Sequence, residues 1–208
     1  MPNKPTVMVD LDDTLVSFSE MFCDAWNRYI RTRAQYFSGA NTTFTINDIT
    51  DYSFLNSLHN FYKNNKIKGG EYLDSFVDHF LNEILFVNES LYDNPYLTPE
   101  YHKIMKMLWN DFKGYKKILH TKVSSPQMMI AKAKLFKANK DFEIFNEIIL
   151  DMEKGMDHSP KPTHYDVMID DAPTNIVNYL ERNHNGRVYM PLRKFNEHLK
   201  DYPRLEIL

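Results

Sequence analysis

One cysteine, Cys23, stands in the 208 residues; this excludes an intramolecular disulfide and a cysteine-rich zinc site and predicts a reducing, cytoplasmic setting. An excess of charge of one sign is missing too. Lys and Arg number 25 against 28 Asp and Glu, for a net charge of -3. Such a chain has no general field to attract polyanions, so no stable nucleic-acid partner is expected and any phosphate chemistry must be local. No apolar run reaches the roughly 18 residues that a membrane span needs. The opening MPNKPTVMVDLDD meets acids before a signal-peptide apolar region could develop. Internal repeats and low-complexity tracts are likewise missing. What is present is globular in kind: 43% hydrophobic and 25% charged residues, in a length that suits one core with an insertion rather than two independent domains.

Aromatic residues are unevenly spread, with 21 of the 29 lying between Val16 and Tyr115. The flanks instead hold short apolar stretches ending in polar or acidic residues, the pattern of buried parallel strands. These are Pro5 to Asp10, Lys116 to Thr121, Asn146 to Leu150, Asp166 to Asp170 and Gly186 to Met190. Helical patterns alternate with them. Ser125-Pro126 reads as an N-cap leading into a face of Met129, Ala133 and Phe136, and Pro173 to His184 carries Ile176, Val177 and Leu180 before stopping at Asn185-Gly186. Alternation with short links predicts an α/β fold, a three-layer Rossmann-like parallel sheet built from right-handed crossovers.

The aromatic segment reads as helical, with Phe18, Phe22, Ala25, Trp26, Tyr29 and Ile30 along one stripe. A further helix, opened by Thr98-Pro99-Glu100 and closed by Gly114, leads into the second strand and so belongs to the core. This predicts a core of residues 1–16 and 96–208 and an inserted helical subdomain of 17–95, with loops at 38–43 and 63–70.

Chemistry concentrates in Val7-Met8-Val9-Asp10-Leu11-Asp12-Asp13-Thr14, where three acids follow the first buried strand, the end at which open α/β sheets bind ligands. A second acidic pair, Asp170-Asp171, closes the strand from Asp166. Acids meeting at two strand ends repel unless a cation or proton is shared, and carboxylate oxygens with positions left for water and phosphate suit Mg²⁺. Thr121 ends another strand and Lys161 precedes Asp170 by nine residues, adding a hydroxyl donor and a cation. Taken singly, each of these has an ordinary reading as a solvated loop or a helix cap.

The ordered set Asp10/Asp12/Thr14, Thr121, Lys161 and Asp170-Asp171 resembles the motifs of the haloacid dehalogenase superfamily of phosphatases. That resemblance implies strand order 3-2-1-4-5, with the acids of the first and fourth strands converging at the switch point. It implies Asp10 as nucleophile, Asp12 as acid/base and a metal ligand through its carbonyl, Thr121 and Lys161 as phosphate-binding groups, and Asp170 and Asp171 completing a Mg²⁺ site. Within the superfamily the chain looks most like the 5'(3')-deoxyribonucleotidases, on the strength of Phe18 in DLDDTLVSF, the segment Asp48-Ile49-Thr50-Asp51-Tyr52 and the ending Ile169-Asp170-Asp171-Ala172-Pro173-Thr174-Asn175. This implies a deoxynucleoside monophosphate as the small-molecule phosphate ester, a helical cap over the site, and substrate contacts from Phe18 and Tyr52; it leaves a homodimer open. A planar base against aromatic faces gains ~1–3 kcal/mol of stacking, although most of the 21 aromatics must form the insertion's own core.

Departures from the family pattern are Asp13, where many relatives have glycine, His120 before Thr121, and Lys122 after it. Lys122 would add a phosphate contact or restrict the leaving group. Lys132 resembles a family lysine near the site, yet with Lys134, Lys137 and Lys140 it also reads as part of a solvated helix surface. His59, His79, His102, His158, His164, His184 and His198 show no metal-binding or nucleophile-pairing spacing. Other functions fit the motifs: a polynucleotide end phosphatase, disfavoured by net charge and by the insertion, another small-molecule phosphatase of the same superfamily, and a catalytically silent binding module on the same fold.

Overall fold

The structure, a computed structural model, describes residues 4–37, 43–85, 91–152, 161 and 164–208. His158 and most of the expected 38–43 loop lie outside the described residues. Six parallel strands form one sheet in the order β3-β2-β1-β4-β5-β6. They are β1 (Thr6–Val9), β2 (Lys116–Val123), β3 (Glu147–Met152), β4 (Val167–Ile169), β5 (Arg187–Met190) and β6 (Leu205–Ile207). The five strands expected from the sequence are all present in the implied order, and the sixth is an addition. β6 has three residues, one neighbour and little burial. A strand so short and so exposed leaves no apolar run to read.

The two-residue alternation of strand side chains divides the core into two layers. Val7, Val9, Leu119, Val167 and Ile169 face one side and join the larger apolar cluster, while Met8, Ile118, Met168, Val188 and Met190 face the other. The second face is covered by α6 (Pro173–Arg182) through Ile176, Tyr179 and Leu180. Gly186 was read as a stop signal for that helix, but the helix ends earlier, at Arg182. Glycine is needed at 186 for another reason: a Cβ there would lie 2.4 Å from the Tyr179 hydroxyl, which donates to the Tyr165 carbonyl at 2.8 Å.

Between β1 and β2 the described chain is helical apart from its connections. It runs through α1 (Phe18–Arg31), α2 (Phe54–Asn64) and α3 (Leu73–His79), the last continuing as a π-helical stretch over Phe80–Leu85, and then through α4 (Tyr101–Asn110). The predicted α1 stripe is buried apart from Phe18, and Phe22, Trp26 and Tyr29 pack on Phe80 at ring separations of 5.6, 5.3 and 5.2 Å. Each such pair adds ~0.5–1.5 kcal/mol beyond simple burial, so these rings serve the fold and are unavailable to a ligand. The entry and exit of the segment are tied together: Ser17 N donates to the Tyr96 carbonyl at 2.8 Å and Thr98 N to the Leu15 carbonyl at 3.1 Å. Thr98 was expected to open α4, but its hydroxyl donates to the Thr14 carbonyl at 2.8 Å, and the helix begins two residues after Pro99.

The helix after β2, α5 (Pro126–Ala138), starts as read, with Ser125 Oγ accepting from Met128 N at 3.1 Å and proline in its first turn. Its buried face differs from the expected one. Met128, Lys132 and Leu135 are buried, whereas Ala133 is exposed and Met129 and Phe136 are intermediate. A lysine occupies the centre of the inward stripe, so hydrophobic periodicity pointed to the wrong face.

Candidate active site

The sheet register builds the site. Val9 is paired with Leu119 on one side and Ile169 on the other, so Asp10 and Asp170 stand level where β1 and β4 end, beside His120 within β2, which runs on to Val123. Asp10 N donates to the Ile169 carbonyl at 2.9 Å, holding the acid beside β4. Asp170 and Asp171 follow directly, and carboxylate oxygens of Asp10, Asp170 and Asp171 all lie within 4.8 Å of one another. All three residues are buried.

Lys161 Nζ bridges this group. It donates to Asp10 Oδ1 and, at 3.0 Å, to Asp170 Oδ2, and its proton affinity is raised because the two carboxylates outweigh the cost of burial. Asp170 also accepts from Ala172 N at 2.9 Å and from Asn175 Nδ2 at 3.3 and 3.1 Å. Asn175 in turn accepts from Lys161 N at 3.1 Å, so one amide orients both members of the ion pair. Asp171 accepts from Thr14 Oγ1 at 2.9 Å, and its carbonyl accepts from Asn196 Nδ2 at 2.9 Å.

One lysine does not balance this floor. Burial, reinforced by Asp170 and Asp12, raises the Asp10 carboxyl to about 7 despite Lys161. Asp171 is pushed well above the ordinary carboxylate range by burial and by Asp10, Asp13 and Asp170. Carboxylates held this close and dry favour a proton or a cation among them, and an all-oxygen donor set suits a hard divalent ion such as Mg²⁺.

Asp12 is held from a different direction. The Tyr92 hydroxyl donates to its Oδ1 at 2.6 Å, and Lys132 Nζ donates to its Oδ2. Lys132 also donates to Thr121 Oγ1 and to the Lys122 carbonyl, both at 2.7 Å. An ammonium has three protons, and here three acceptors meet them. Lys132 is fully buried, which corrects its reading as part of a solvated helix surface.

Asp13 stands between these groups with φ 54°, in the left-handed region that glycine adopts freely and other residues rarely do. The departure from glycine noted in the sequence therefore has a local compensation. Ser19 donates to Asp13 through N at 2.8 Å and through Oγ at 2.5 Å, and Arg193 donates to the Asp13 carbonyl at 2.7 Å. Burial raises the Asp13 carboxyl to about 6 even so. Arg193 is anchored by Glu100, with contacts of 3.1 and 2.9 Å.

These residues open on a cleft of about 260 Å³. Asp10, Asp12, Thr121, Lys122, Lys161 and Asp171 line its polar side, and Phe18, Tyr52, Phe54, Leu81 and Met128 its apolar side. Asp170 lies behind them, fully buried. Phe18 is half-buried, with Phe54 edge-on at 5.6 Å. Tyr52 is exposed and stands edge-on to Phe195 at 5.7 Å; burial around its hydroxyl and the nearby carboxylates raise its proton affinity. Every residue proposed from the sequence thus falls on this cleft or directly behind it. Sequence reasoning missed Tyr92, Asn175 and Phe54, and took Thr14 only as part of a motif. Asn175 lies in the DDAPTN ending, a signal in reach; Tyr92, eighty positions from Asp12, carries none.

No family model matches the sequence, and no curated protein matches it. Solved structures do resemble the fold. A haloacid dehalogenase-like family hydrolase from Xanthomonas campestris aligns with TM-score 0.57 at 12% identity, over 99% of this chain and 91% of that one. A haloacid dehalogenase family hydrolase from Deinococcus radiodurans R1 aligns with TM-score 0.56 at 11% identity, over 100% and 93%. A superfamily hydrolase of subfamily IA, variant 1, from Geobacter sulfurreducens aligns with TM-score 0.55 at 10% identity, over 94% and 96%. At these identities the likeness is one of architecture, and the parallel sheet in the order 3-2-1-4-5-6, with acids at the ends of its central strands, has the haloacid dehalogenase-like hydrolase fold.

Proposed function

We propose that the protein is a Mg²⁺-dependent phosphomonoesterase acting on small phosphate esters, with deoxynucleoside monophosphates as the preferred class. The observation that carries this reading is the convergence of Asp10, Asp170 and Asp171 around Lys161 at the floor of a cleft with an apolar wall. The Deinococcus radiodurans neighbour, described with bound phosphate and sodium, fits a site of this kind.

In this reading the Asp10 carboxylate attacks phosphorus, the bond from phosphorus to the ester oxygen breaks, and Asp12 gives its proton to the departing alcohol. Water then attacks the aspartyl phosphate and passes its proton to Asp12. The bond from phosphorus to Asp10 breaks, releasing phosphate and restoring the carboxylate. Lys161 offsets the charge of nucleophile and phosphate together, and the Thr121 hydroxyl hydrogen-bonds the phosphoryl oxygens. Asp10, Asp170 and Asp171, with the Asp12 carbonyl, would hold Mg²⁺, which supplies the positive charge the floor lacks. Bringing Asp10 below its raised value of about 7 keeps it ionised for attack at neutral pH.

Residues 17–95 serve as the cap and 1–16 with 96–208 as the catalytic core. Phe18 and Tyr52 on the cleft's apolar side take the base, and Lys122 meets the phosphate or restricts the leaving group. A homodimer is compatible with this reading. Cytoplasmic action is in keeping with the single buried thiol, Cys23.

The test is phosphate release from 5' and 3' deoxynucleoside monophosphates, ribonucleotides, sugar phosphates and a 3'-phosphorylated oligonucleotide, with Mg²⁺ and with EDTA. Metal-dependent turnover that favours deoxynucleotides is expected. Turnover of other small esters alone would keep the chemistry and overturn the substrate, preference for the oligonucleotide would make the protein an end phosphatase, and no turnover of any ester would leave a binding module.

A further inference from the structure

Asp12 has both carboxylate oxygens occupied, and the two partners come from distant parts of the chain. Lys132, from α5 of the core, takes Oδ2. Tyr92, from the limb that returns the helical insertion to the core, takes Oδ1 at 2.6 Å. Tyr92 is 2% exposed, so the loss of its one hydroxyl bond would leave a buried donor without a partner. Lys132 Nζ stands 5.9 Å from the centre of the Tyr92 ring, which places the ring against both the acid and the cation that grips it.

We propose that Tyr92 is a positioning residue for the reaction: its hydroxyl fixes the rotamer of Asp12, so that the carboxyl delivers its proton to the leaving oxygen from a single orientation. The inference rests on the reading of Asp12 as the acid/base and adds what holds it there. A carboxyl held at one oxygen alone can turn about its last torsions. A second donor on the other oxygen, carried by a packed ring, removes that freedom. Misplacing an acid by about 1 Å can cost ~100-fold in rate. The contact also gives the insertion a part in the chemistry besides enclosing the substrate, since the segment around Tyr92 must be seated for Asp12 to be held on both sides.

The test uses leaving groups, because a misplaced acid matters most where the departing oxygen needs a proton and least where it leaves readily as an anion. Full-length wild type, Tyr92→Phe and Asp12→Asn are compared by kcat/KM for an alkyl ester, a deoxynucleoside 5'-monophosphate, and for p-nitrophenyl phosphate, with Mg²⁺ present. This parameter reports the first phosphoryl transfer, in which the alcohol departs. Tyr92→Phe keeps the ring and should lower kcat/KM for the nucleotide about 30-fold and for the aryl ester less than about 3-fold. Asp12→Asn should show the same split, more strongly. Equal losses on both esters for Tyr92→Phe, or no loss, while Asp12→Asn splits them, would overturn the role given to Tyr92 alone. If Asp12→Asn itself fails to split them, the acid/base reading of Asp12 falls first. Should Tyr92→Phe not fold, Tyr92→Met removes the donor while keeping bulk, and the same split is required of it.

Discussion

The floor of the cleft and its aromatic wall are made in opposite ways. On the floor, Lys161 is hydrogen-bonded to Asp10 and Asp170, Lys132 to Asp12 and Thr14 to Asp171, and the register of β1 and β4 holds Asp10 and Asp170 level. On the wall, Phe18, Phe54 and Leu81 meet through packing, without a directed bond among their side chains. A polar group moved by an ångström loses its bond, while an aromatic ring moved as far still makes contact. The difference teaches a division of labour: the floor dictates one reaction, and the wall can change its preferences without disturbing it.

Four experiments would break or sharpen that division. Asp10→Asn removes the proposed nucleophile and should reduce phosphate release by at least ~10³-fold on every ester, as expected for loss of a covalent step; a smaller loss, or one confined to nucleotides, would place the reaction elsewhere. Lys132→Met deprives Asp12, Thr121 and the Lys122 carbonyl of their shared donor and should cost about 100-fold in kcat/KM for a nucleotide and less for p-nitrophenyl phosphate, since Asp12 is among the groups it holds. If melting shows the variant folded and turnover is normal, the buried lysine is merely structural. Phe18→Ala touches only the wall. It should raise KM for nucleotides about 10-fold, in line with ~1–3 kcal/mol of stacking, and leave p-nitrophenyl phosphate nearly unaffected; equal effects on both would make Phe18 part of the fold.

The smallest effect is on stability. Folded Asp10 and Asp13 ionise at about 7 and about 6, against 3.8 when unperturbed, so between these values the folded state binds more protons than the unfolded one. Stability of the metal-free protein contributed by these groups is therefore complete at low pH and declines as pH rises from about 4 to about 7. Thermal melts in EDTA should show that decline, and melts with Mg²⁺ should flatten it. A metal-independent profile would show that the floor takes no cation.

The same contrast explains what could be read in the sequence. Acids following apolar strands are visible because a strand's end and its chemistry are adjacent in the chain, and Asp10, Asp12, Asp170 and Asp171 were legible for that reason; Thr121 was expected at a strand end, but β2 runs on to Val123. Lys132 was only partly legible. Its family likeness pointed to the site, but a charged residue in the middle of an inward stripe contradicts the periodicity by which helix faces are recognised. Tyr92 and Asp12 meet by tertiary folding alone, and no local pattern marks them. On the wall, Phe18 was found through a motif, whereas Phe54 is one ring among 29 and nothing in its neighbourhood separates a ring on the cleft from a ring in the core. β6 escaped because three residues carry too little periodicity.

One joint connects the two regions. Asp13 turns the chain out of the floor in a left-handed conformation and is fastened at the same point to Ser19, in the first turn of the helix that carries Phe18. A glycine here would be a swivel; the aspartate makes a bracket. The angle at which the helix leaves the sheet is thereby set within a few residues of Asp10, and on the proposed reading the distance from phosphorus to the aromatic wall becomes a built-in gauge. Substrates are then measured by length as well as by shape, and an ester whose flat portion sits too near or too far from its phosphate would fit either end of the cleft but not both.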